Sequence, residues 1–69
     1  MKISARNQFK GKVVALEKGA VNAVVSIDIG AGNVITSTIS MAAVEELKLE
    51  IGKDAYAIIK ATSVMVGVE

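Results

Sequence analysis

Two short polar clusters, one towards each end of the chain, hold the residue types best suited to chemistry. The first is Ser4-Ala5-Arg6-Asn7-Gln8, which sets a hydroxyl, a fixed cation and a short amide side by side just before the first long apolar run. The second, Lys60-Ala61-Thr62-Ser63, interrupts another apolar run. Between them they supply two permanent cations and several neutral donors, with no acid. Arg, Lys and hydroxyl groups donate to oxygen without first losing a proton, so the set suits a small, multiply charged oxyanion. The plainer alternative is a pair of strand ends or turns whose polar side chains sit in water.

Other chemistries find little support. The chain has no Cys and no His, which removes nucleophilic catalysis of the Ser-His-Asp or Cys-His kind, disulfides and zinc sites. A Ser-Lys pair of Ser63 with Lys60 is formally open, with nothing else to suggest it. Glu45-Glu46, or Asp28 with Glu17, read as solvated acids rather than a catalytic pair. Gly30-Ala31-Gly32 lacks the spacing of a phosphate loop, and Met41 and Met65 read as packing residues. Neither an enzyme nor a metal held directly by side chains is expected.

Partners are bounded by charge and aromatic content. The net charge is +1, and Phe9 and Tyr56 are the only aromatics. Binders of single-stranded nucleic acid need stacking platforms and a basic groove, so no nucleic acid partner is expected. The opening residues lack the apolar core of a signal peptide, and no apolar stretch is long enough to span a bilayer. No membrane partner and a cytoplasmic location follow as expectations.

The elements that must position the two clusters are mostly strands. Alternation is clearest over 21–29, where Val21, Ala23, Val25, Ile27 and Ile29 share one face. The Val-rich run 11–17 precedes it, with a turn at Lys18-Gly19 making a hairpin. Gly30-Ala31-Gly32-Asn33 is a second turn, with two glycines able to take positive φ, and 34–39 is a third strand. Residues 40–49 break the alternation and suit a short helix, with Ser40 as N-cap and Gly52 ending the segment. The runs 55–60 and 64–68 read as fourth and fifth strands. This order predicts an all-β fold: a small five-stranded Greek-key barrel of the oligonucleotide/oligosaccharide-binding (OB) type, with one short helix between strands three and four. An SH3-like barrel is the alternative that the helix placement disfavours.

Residues 1–69 suffice for one domain and no more. Domains this small usually need a staple or a partner, and the staples are excluded. At 52% hydrophobic and 22% charged, the chain carries more apolar surface than a lone barrel of its size would hide, so an obligate homo-oligomer is expected.

Four segments together resemble a known family: Ser4-Ala5-Arg6-Asn7-Gln8, Gly11-Lys12-Val13-Val14, the run from Ile35 to Ser40, and the run from Ile59 to Met65. In that order and over essentially the whole length they are similar to molbindin, the small molybdenum-pterin-binding (Mop) proteins. The resemblance implies binding of molybdate or tungstate, with no organic cofactor despite the family's older name. It also implies a homohexamer built as a trimer of dimers, with anions held at subunit interfaces. Carried over by position, Ser4, Ala5 and Arg6 would contact the anion. Ser40 would add its hydroxyl or the helix amides, and Lys60 and Ala61 would close the pocket with Thr62 nearby. Asn7 is placed either on the anion or as a brace of its loop. A second kind of site is a family feature for which Lys18, Gly19 and Asn22 are candidates. Ala61 stands where some relatives carry a serine, and Ala43 has no side-chain donor, so the pocket has fewer hydroxyls than it might. The implied function is intracellular storage or buffering of the oxyanion. The alternative is a sensing or delivery module acting with a partner protein.

Overall fold

The computed structural model describes residues 1–69. Four antiparallel strands form one sheet in the order β3-β2-β1-β4, where β1 is Asn7–Lys18, β2 Asn22–Gly30, β3 Asn33–Ser40 and β4 Asp54–Ile59. The short helix α1, Met41–Glu46, lies between β3 and β4, and a single 3₁₀ turn, Ala61–Ser63, follows β4. The all-β class and the helix between the third and fourth strands are as the sequence predicts.

The fifth strand differs. Residues 64–68 form no strand, and Met65, Val66 and Val68 are more than nine-tenths exposed. Their side chains suit a sheet, but a strand needs a neighbour for its backbone N–H and C=O groups. None of this chain's strands pairs with them. What remains is a curled half-barrel with β3 and β4 as open edges.

The core lies where β1, β2 and β4 meet. Val13, Val25, Ile27 and Ala57 form its buried cluster, with Leu16, Ile29, Ile35, Ile39, Leu49 and Ala55 packed partly against it. Val13 pairs with Ile27, whereas Ala15 pairs with Ser26, so Val14 is an extra residue on β1. Such a bulge bends and twists the strand that carries it, which helps this long strand serve two neighbours. Gly11 sits beside the bend. A Cβ there would come 2.2 Å from the backbone oxygen of Asp28, so only glycine allows β1 and β2 to approach this closely.

Two local ends depart from the sequence reading. The helix stops at Glu46, before Lys48 rather than at Gly52. Lys48 takes φ +53°, its N–H donates to the Glu45 carbonyl, and the Leu49 N–H donates to the Val44 carbonyl. This is a Schellman closure with lysine in the position glycine usually fills. Lys53 reinforces it, its Nζ donating to the carbonyls of Leu47 at 2.8 Å and Lys48 at 3.0 Å, a cation placed at the negative end of the helix. At the β2–β3 turn, Ala31 joins Gly32 at positive φ, the sign a I′ hairpin requires at both positions. Asp28 Oδ1 and Asn33 Nδ2 hold this turn through the N–H and the carbonyl of Gly30.

Candidate functional site

The pairing of β1 with β4 brings the two polar clusters together. Asn7, the first residue of β1, lies opposite Ile59, the last of β4. The segments that leave these strands, residues 4–6 and 60–62, therefore emerge side by side. Ser4, Ala5, Arg6, Lys60, Ala61 and Thr62 line one open cleft of about 360 Å³. Six of the eight residues expected at the principal site thus meet within a single chain.

The cleft is donor-rich. Its lining includes Arg6 and Lys60, which carry cations, Ser4 and Thr62, which carry hydroxyls, and no acid. The backbone N–H groups of Ser4, Ala5 and Arg6 donate to nothing within the chain. On the other wall, the 3₁₀ turn is closed by the Ser63 N–H donating to the Lys60 carbonyl at 2.9 Å and the Val64 N–H to that of Ala61 at 3.3 Å. These bonds fix the path of the chain through Ala61 and Thr62. An arrangement with cations, hydroxyls and free amides but no carboxylate attracts an oxyanion and offers nothing that would repel it.

Asn7 takes the bracing position. Its Nδ2 donates to the Ile59 carbonyl at 3.2 Å, tying the two walls together from beneath, and it does not line the cleft. Gln8, absent from the expected set, makes a similar contact. Its Nε2 donates to the Ala5 carbonyl at 2.8 Å. The signal for it was the amide-amide dipeptide Asn7-Gln8 at the start of a strand, where side-chain amides commonly bind nearby backbone.

Ser40 lies elsewhere. Its Oγ accepts from the Ala43 N–H at 3.0 Å as the N-cap of α1, as the sequence predicts. Its strand partner, however, is Asn22, at the far end of the sheet. β1 has 12 residues, which at about 3.3 Å each separates its ends by roughly 36 Å. Ser40 therefore sits beside Lys18, Gly19 and Asn22, the second-site candidates, and not beside Arg6 and Lys60. These residues are exposed, and their turn is closed by the Gly19 N–H donating to the Asn22 carbonyl at 2.8 Å.

One ion pair lies at the other end of the β1–β4 ladder from the cleft. Lys12 Nζ lies 2.6 Å from Asp54 Oδ1 across the β1–β4 pair. The hydrogen bond from Lys12 and its charge, aided by Lys10, hold the Asp54 carboxyl below its ordinary value of 3.8.

Comparison with known proteins identifies the family and the fold. Residues 3–66 match the model of the TOBE domain family. A "Probable molybdenum-pterin-binding protein" of Haemophilus influenzae is 77% identical over 69 residues, covering the whole of both chains. Among solved structures, MopII from Clostridium pasteurianum superposes with a TM-score of 0.91 at 52% identity, covering 97% of this chain and 100% of that one. The molybdate-bound form of ModG, described as a cytoplasmic molybdate-binding protein, gives a TM-score of 0.94 at 45% identity over 100% of this chain and 49% of that one. The chain therefore belongs to the TOBE domain family and, within it, to the molybdenum-pterin-binding (Mop) proteins.

Proposed function

We propose that this protein binds molybdate, and tungstate in the same way, and stores or buffers the oxyanion in the cytoplasm as a homo-oligomer, without catalysing a reaction. The carrying observation is the cleft that gathers Arg6 and Lys60 with the hydroxyls of Ser4 and Thr62 and no acid. A tetrahedral dianion needs two units of opposing charge, and this is what the two side chains offer. Molybdate bound to the structurally similar ModG supports the choice of ligand.

If Ser40 belongs to the site, as the resemblance implies, its position favours a site shared between copies. Ser40 and the cleft stand at opposite ends of β1, so only a second copy of the chain can carry a Ser40 and its α1 amides to the cleft of the first. The cleft's open side leaves room for such an approach. A pocket completed in this way couples binding to assembly and shields the ion pairs from water, which strengthens them. Lys18, Gly19 and Asn22, around the same turn as Ser40, are then placed near an interface, where the second kind of site belongs.

Calorimetry with molybdate, tungstate and sulfate on the purified protein tests the reading. Molybdate and tungstate should bind saturably with no other protein present, and sulfate far more weakly, because its shorter bonds to oxygen leave donors out of reach. Absence of molybdate binding, or equal binding of sulfate, overturns it. Binding that requires a second protein favours a delivery or sensing role over storage.

A further inference from the structure

We propose that Gln8 is a positioning residue for the oxyanion cleft: by pinning the Ala5 carbonyl it aims the Arg6 backbone N–H. The proposal rests on the molybdate-binding reading above. The Gln8 Nε2 donates to the Ala5 oxygen at 2.8 Å, so a residue held in β1 reaches back to the segment that precedes the strand. The Ala5 carbonyl and the Arg6 N–H are the two ends of one planar trans peptide unit, so fixing the direction of one fixes the other in the opposite sense. The Arg6 N–H donates to no group in the chain, and Arg6 lines the cleft.

The remaining restraints explain why a pin is needed there. Asn7 ties β1 to the Ile59 carbonyl, and β1 pairing with β4 begins at the same residue. Upstream of it, no backbone hydrogen bond holds residues 4–6. Without the Gln8 contact, the Ala5–Arg6 peptide would be free to rotate, and binding would have to order it. Donors fixed beforehand spare that ordering cost. Gln8 is itself exposed and its hydrogen bond is local, so its removal should alter the site more than the stability of the fold.

The test uses Gln8→Met, which keeps the length and removes the donor, and Gln8→Glu, which keeps the shape and replaces the donor with an acceptor. Lys10→Ala serves as a control for a nearby exposed side chain. Molybdate affinity by calorimetry, thermal midpoint without ligand, and the ¹⁵N–¹H resonance of Arg6 are measured for each. Loss of one exposed hydrogen bond corresponds to about a fivefold loss of affinity for Gln8→Met, with more for Gln8→Glu. The Arg6 resonance should shift or broaden in both while the thermal midpoint stays near that of the wild type. Molybdate binding by Gln8→Met and Gln8→Glu within about twofold of wild type, with Arg6→Ala impaired, overturns the proposal and leaves the binding reading intact. An affinity loss accompanied by a matching loss of thermal stability also overturns it, since Gln8 would then be merely structural. Failure of the wild type to bind molybdate overturns the underlying reading and the proposal with it.

Discussion

Arg6 and Lys10 are both exposed cations near the start of the chain, yet only Arg6 lines the cleft. Arg6→Ala should weaken molybdate binding on the order of 2–5 kcal/mol if a second copy covers the cleft, because a buried anion then loses its charged partner. Lys10→Ala should cost well under about 1 kcal/mol. Calorimetry on the two variants separates the cases, and equal effects would mean that Arg6 does not touch the anion. Asp54 gives a second test, this time of stability. Lys12 holds its carboxyl below 3.8 in the folded chain, so its contribution is present above that ordinary value and is lost as pH falls through the lowered one. Urea midpoints of wild type and Asp54→Asn should therefore differ slightly near about pH 6 and converge near about pH 2. A gap that persists at the acid end would show that the ion pair is not its cause. The residue types at the site were legible in the sequence because cations and hydroxyls without acids admit few chemistries. The role of Gln8 was not, since an amide at a strand start has many available partners and only the fold selects the Ala5 carbonyl.

At the scale of elements, alternation revealed β2 and β3 and misjudged the ends. β1 begins at Asn7, four residues before the first apolar run, because β4 supplies partners for Asn7, Gln8, Phe9 and Lys10; no local pattern announces a strand whose first partner, Ile59, lies 52 residues away in the chain. The helix ended early for a similar reason. Lys48 tolerates φ +53° where two backbone bonds and Lys53 converge on the last turn, and a lysine is not the residue from which such a closure would be inferred. The glycine at position 11 was equally silent, since a strand glycine signals close approach only once its neighbour is known. Its replacement is a sharp test of the β1–β2 contact. Gly11→Ala would set a Cβ 2.2 Å from the Asp28 carbonyl oxygen and 2.9 Å from Ile27 Cγ2, so either the strands part or the bulge rearranges. A loss of about 1–3 kcal/mol in urea unfolding is expected. A variant as stable as wild type would show that the two strands are not so close.

The whole molecule exposes more surface than a compact monomer of its mass should. A compact monomer of 7.1 kDa should expose about 4,100 Å², and this chain exposes 5383 Å². The excess, about 1,300 Å², is more than the roughly 800 Å² that each side contributes to a standard stable interface. Only 6 of 69 residues are buried, a small core for a domain with no disulfide or metal to support it. Exposed apolar side chains occur along the whole chain, and two groups of them bear on assembly. Tyr56 and Ile58 border the seam between the open edges β3 and β4, where Val25, Ile27 and Ile39 floor an apolar cleft. Val64, Met65, Val66 and Val68 make up the unpaired tail. The first lies between two open sheet edges and the second is a strand-like sequence without a sheet, so an exchange of tails between two copies would satisfy both. The protein should therefore be oligomeric before any molybdate is added, and sedimentation at micromolar concentration should show no stable 7.1 kDa species. A chain ending after Ser63 keeps every residue of the anion cleft but loses the tail, and it should sediment as smaller assemblies with a lower thermal midpoint. If the shortened chain assembles as fully as the intact one, the tail is not what joins the copies. If the intact chain is a stable monomer, Ser40 cannot reach the cleft and the shared site fails with it.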